Sequence, residues 1–142
     1  MHRREGETRR HLVRLRDDSG SVSVETVIVF PVVLLLIFGA VQAGLYYYGR
    51  TTALVAAQQG VQASRVENGS ATAGAAAARN FLAGPSSLLH NVTVTPSRDP
   101  VSTTITVAGT IPTLLPGFTF TVTQTATGTV ERVTTRTAGG AG

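Results

Sequence analysis

Residues 26–48 read TVIVFPVVLLLIFGAVQAGLYYY, without a single charged side chain. As a helix rising about 1.5 Å per residue, this run is ~35 Å long, enough to cross a hydrocarbon layer ~30 Å thick with some tilt. Three consecutive phenols, Tyr46, Tyr47 and Tyr48, close the run and suit a membrane–water boundary. The other reading is the core helix of a soluble protein. It fails for lack of partners, because the rest of a 142-residue chain with 6% aromatic residues and no Trp does not supply enough apolar surface to cover the rod on all sides.

Charge then sets an orientation. Before the run, residues 1–18 hold Arg3, Arg4, Arg9, Arg10, Arg14 and Arg16 against Glu5, Glu7, Asp17 and Asp18. Just after the run the nearest positive charge is Arg50, so the excess of arginine places the N-terminus in the cytoplasm and residues 49–142 outside. The other six arginines are scattered singly. The net charge of +4 therefore forms no basic stripe, and nucleic acid is excluded as a partner. The chain has no Cys, which removes disulfides and thiolate metal sites from consideration. Lipid is the first partner that the sequence implies.

Two residues ask for more than an anchor. Glu25 stands at the lip of the apolar run, where a carboxylate is costly and is by default a functional candidate. An interfacial position would make it unremarkable, and both readings stand. Pro31 removes the hydrogen bond that its N–H would make to the Val27 carbonyl and is expected to kink the helix.

The basic leader ending in Gly20, the following Ser21-Val22-Ser23-Val24-Glu25 and the apolar helix resemble a type IV prepilin processing site. The longer string GSVSVETVIVFPVVLLLIFGAVQAGLYY, with Pro31 six residues after Glu25, is similar to the TadE-like family. These are pseudopilins of the tight-adherence (Flp) pilus assembly system. The likeness continues into Ala56-Ala57-Gln58-Gln59-Gly60-Val61-Gln62-Ala63-Ser64-Arg65, a small-residue segment with a central glycine. One position departs: Thr26 follows Glu25, where prepilins often carry an aromatic residue.

The resemblance implies that a prepilin peptidase cuts between Gly20 and Ser21 and that the partners are other pilin-like subunits of the same machine. A cut there removes a leader of net charge +2 and leaves a mature chain of +2. It also creates an ammonium at Ser21, one helical turn before Glu25. In a low dielectric that ammonium and that carboxylate attract, within one subunit or between neighbours, which would align subunits in height during assembly. The role expected from this is structural, in pilus assembly or a related secretion machine, through helix–helix association.

Competing readings remain. Val41-Gln42-Ala43 would suit a conventional signal peptidase and release residues 44–142, although the apolar run before it is longer than the usual ~7–15 residues. Arg9-Arg10 resembles a twin-arginine signal, interrupted by Asp17 and Asp18. The alternative function is a secreted or membrane-anchored surface binding module with no pilus role.

Beyond the tyrosines, the Ala/Leu/Val/Gln pattern of residues 49–66 continues the helix, and Asn68-Gly69-Ser70 breaks it. That triplet is formally a glycosylation acceptor, but a turn with Ser70 as helix cap explains it without glycan. A second helix is expected over residues 71–83, ended by Gly84-Pro85. Residues 91–95, 102–108 and 118–130 alternate apolar residues with threonine, the pattern of half-buried strands rather than of a glycosylated stalk. Ser97-Arg98-Asp99-Pro100 reads as a turn, and residues 111–117 as a longer connection that exposes apolar side chains.

The fold class expected is α+β: a long transmembrane helix continuing outside, a second short helix and a small antiparallel three-stranded sheet. By segments this gives a leader (1–20), a membrane helix (21–48), an outer helical region (49–84), a β-rich region (85–132) and a tail (133–142). Small residues four apart, Gly39/Ala43, Ala40/Gly44 and Ala56/Gly60, permit close helix packing. Ser86, Ser87, His90 and Asp99 spell a hydrolytic set without the accompanying motifs, and His90 with Asp99 is too small a set for a metal. No catalytic, cofactor or metal site is expected.

Overall fold

The computed structural model describes residues 19–66 and 68–131. Residues 1–18 of the leader and the whole tail (133–142) lie outside them. The order is α1 (Ser19–Arg65), α2 (Ala71–Leu82), β1 (His90–Arg98), β2 (Ser102–Ile111) and β3 (Phe120–Thr129). This is the expected α+β arrangement. Two compact units divide the chain, Met1–Leu36 and Ile37–Gly142.

Within the first unit, every residue of 24–36 is exposed, and α1 runs unbroken through Pro31. Exposed apolar side chains lie on all sides of this stretch, with Val27 and Leu36 more than two-thirds exposed. A helix with no polar face is built for an apolar solvent.

Within the second unit, α1 becomes a packing helix. Its buried face is formed by Gly49, Ala53, Ala56, Gly60 and Ser64, spaced by three or four residues. Small residues let the helix lie close to the sheet. A Cβ on Gly49 would overlap Ile111 Cγ2, and Val61 Cγ1 lies 2.6 Å from where a Cβ on Gly128 would stand. The Ala56/Gly60 pair is therefore used inside the molecule. Gly39 and Gly44 have open space around them.

Asn68, at φ 64°, turns the chain after α1, with the Gly69 N–H donating to the Val66 carbonyl at 2.8 Å. Ser70 caps α2 as expected, its Oγ accepting from the Ala73 N–H at 3.0 Å. The sheet is an antiparallel meander in the order β1-β2-β3. Central β2 alternates strictly: Thr103, Ile105, Val107, Gly109 and Ile111 are buried, and the residues between them are half-exposed. On the other face, threonines pair across strands, Thr104 with Thr127 and Thr106 with Thr125, each at 3.0 Å between hydroxyls.

The strands differ from their sequence-based bounds at the ends. β1 continues past Pro96, which pairs with Ile105, because β1 is an edge strand where a missing N–H need not break the ladder. β2 runs on to Ile111. β3 begins at Phe120 rather than Phe118, which leaves residues 112–119 as the connection.

One buried polar pair joins helix to sheet: Ser64 Oγ and Thr103 Oγ1 lie 2.8 Å apart, and Ser64 also donates to the Val61 carbonyl. At the end of α1, the Arg65 guanidinium reaches Glu131 Oε1 at 2.7 Å, and the Glu131 N–H donates to the Arg65 carbonyl at 3.0 Å.

Candidate functional site

The residues singled out from the sequence lie along the first turns of α1. Gly20 and Ser21 are both helical residues of α1, so the bond between them lies in helical backbone. Ser21 and Glu25, four apart, belong to one helix face. Glu25 is exposed and forms no ion pair among the described residues. From Val27 onward its neighbours toward the C-terminus are apolar and exposed.

Exposure persists without interruption from residue 24 to residue 41 and stops at Gln42. Gln42 is 6% exposed and is the residue that sequence reasoning passed over except as part of a peptidase site. Its amide is satisfied twice by the connection after β2. Gln42 Nε2 donates to the Pro112 carbonyl at 3.3 Å, and Gln42 Oε1 accepts from the Leu114 N–H at 3.0 Å. A polar residue inside an otherwise apolar run was the available signal. Beyond it, the Tyr48 hydroxyl donates to the Ser86 carbonyl at 2.6 Å, while Tyr46 and Tyr47 meet edge to face with their rings 6.3 Å apart.

The hydrolytic set is not assembled. His90 opens β1 and Asp99 follows its end, which by strand rise puts them about 30 Å apart. Asp99 instead organises the β1–β2 turn. Its carboxylate accepts from the Val101 and Ser102 N–H groups at 2.8 and 2.7 Å and from the Ser102 hydroxyl at 3.0 Å. These bonds hold its pKa below the usual aspartate value, the Ser102 N–H contributing most. Among the described residues, no group of three His, Cys, Asp or Glu could hold a metal.

One helix near the N-terminus is long and apolar enough to cross a membrane, and its apolar stretch is unburied, which fits a single-pass membrane protein. The family model described as TadE-like protein matches residues 20–62. The match therefore takes in nearly all of α1, from Gly20 to Gln62, and neither α2 nor the sheet. Comparisons with curated proteins and with solved structures gave no match.

Proposed function

We propose that this protein is a pseudopilin-like structural subunit of a tight-adherence pilus assembly machine, acting by helix–helix association rather than by chemistry. The observation that carries this reading is the coincidence of the TadE-like match with a helix exposed at every position from 24 to 41, Glu25 included. Such a surface needs lipid and other helices around it. In this reading the N-terminus is cytoplasmic, a prepilin peptidase cuts after Gly20, and the new Ser21 ammonium and Glu25 pair with their counterparts on neighbouring pilin-like subunits. The helical backbone around residues 20 and 21 must open to admit the peptidase, and glycine at residue 20 lowers the cost of that opening.

Release by cleavage after Ala43 is disfavoured by a specific contact. It would remove Gln42 and leave the Pro112 carbonyl and the Leu114 N–H without their partner. The intact mass of the native protein tests the reading. A mature chain beginning at Ser21 supports it, and one beginning at Gly44 refutes it in favour of a secreted module. Protease added outside spheroplasts should digest residues beyond Arg50 and spare an epitope on the leader. Protection of the sheet would overturn the orientation.

A further inference from the structure

The connection between β2 and β3 has a composition and a placement that the proposed assembly role does not use. It reads PTLLPGFT over residues 112–119, and no charged residue occurs anywhere from residue 101 to residue 130. Leu114 is 46% and Phe118 62% exposed. Two large apolar side chains at the tip of an uncharged loop are not what water-facing connections carry.

Part of the backbone of this loop is paired within the protein. Pro112 and Pro116 have no N–H to satisfy. The Leu115 N–H donates to Thr113 Oγ1 at 3.1 Å, and the Phe118 N–H donates to the Leu115 carbonyl at 3.4 Å. The Leu114 N–H and the Pro112 carbonyl are both taken by Gln42. Each backbone polar group paired within the protein lowers the cost of placing the loop at the membrane surface, and these pairings do so around Leu114 and Leu115.

Gln42 also sets the level of the loop. It lies four to six residues before Tyr46–Tyr48, so by helical rise the loop is fastened ~6–9 Å to the membrane side of the tyrosines. On the tyrosine side, a groove lined by Ala43, Tyr46, Tyr47, Arg50 and Phe120 continues the apolar surface. The exposed Arg50 guanidinium stands there at the height where phospholipid phosphates would be met.

We propose that the β2–β3 connection is a second membrane contact, with Leu114 and Phe118 inserted at the headgroup–acyl boundary of the leaflet next to the sheet, and with Gln42 as the residue that holds the loop at that depth. The occupant is phospholipid. The loop presents no charge with which to recognise a polypeptide, and it is bonded directly to the apolar helix. This inference rests on the membrane reading of α1 and is independent of any pilus role.

The chain contains no Trp, so single reporters are clean. The full-length protein carrying Leu114→Trp, Phe118→Trp or, as reference, Val101→Trp at the other end of β2 would be reconstituted into phosphatidylcholine vesicles with and without brominated acyl chains. The first two reporters should show blue-shifted emission and lose most of it to shallow bromines, while the reference stays water-like and unquenched. Adding Gln42→Leu to Phe118→Trp should reduce the quenching. Vesicle flotation separates the failures. A chain that does not float overturns the anchor and the loop contact together. A chain that floats with residues 114 and 118 as unquenched as residue 101 overturns the loop contact alone. Undiminished quenching with Gln42→Leu removes the depth-setting role of Gln42.

Discussion

Gly60 of α1 and Gly74 of α2 meet backbone to backbone: a Cβ on Gly60 would lie 2.8 Å from the Gly74 carbonyl oxygen, and one on Gly74 would lie 2.7 Å from the Gly60 carbonyl oxygen. Both glycines are buried, and Ile105 of the central strand packs beneath Gly60. The pair fixes how closely the two helices approach over the sheet. Alanine at either position would gain about 1 kcal/mol of helix propensity. It would also force one backbone away from the other, an overpacking cost of about 1–3 kcal/mol. Gly74→Ala is therefore expected to lower the unfolding midpoint in detergent solution, whereas Gly44→Ala, with open space around it, should not. Equal midpoints for the two variants would show that the contact is slack.

Gln42→Ala should loosen the β2–β3 connection. It leaves the Pro112 carbonyl and the Leu114 N–H unpaired, a cost of about 1–3 kcal/mol where water does not replace the bonds. Hydrogen exchange at the Leu114 amide reads this directly. Protection should be lost there first, with the amides of β2 unaffected.

Asp99 predicts an acid-sensitive turn. Its folded-state pKa lies below the unfolded value of about 3.9 because two N–H groups and the Ser102 hydroxyl stabilise the carboxylate. A depressed pKa stabilises the folded state above the unfolded value, and that contribution fades as pH falls through the folded one. Asp99→Asn keeps an acceptor oxygen but removes the charge. Its unfolding should depend less steeply on pH below about 4 than the wild type does. Parallel acid limbs would show that the charge adds nothing to the turn.

Glu25→Gln separates an assembly role from an interfacial one. The amide costs a membrane less than a carboxylate, so insertion should survive, as should the proposed cleavage after Gly20. Under the proposed pairing, association with other pilin-like subunits should fail, because a neighbour's Ser21 ammonium would lose its partner. Crosslinking of mature wild-type and variant protein in the native membrane decides the matter. Equal recovery of complexes would leave Glu25 an ordinary interfacial residue, worth at most a few tenths of a kcal/mol.

Much of the architecture was legible in local patterns. An uncharged 23-residue run leaves a helix little choice but an apolar solvent, and threonine alternating with valine and isoleucine specifies strands with one covered face. Ser70 announced its helix, and Asp99 its turn, because caps and turns are satisfied within a few residues. The strand ends were not legible, since Pro96 is tolerated only by virtue of an edge position that the sheet order assigns.

Long-range pairings were not legible either. Nothing near residue 42 in the sequence marks Gln42 as the partner of a loop seventy residues away, and nothing near Gly60 announces Gly74. Local sequence determined the elements and the apolar face of α1, because hydrogen bonding within an element and its side-chain period depend on close neighbours. Only the tertiary structure decided which small residues pack inside the molecule, which remain open to partners, and where Gln42 finds its two hydrogen bonds, because those outcomes depend on atoms brought together by folding.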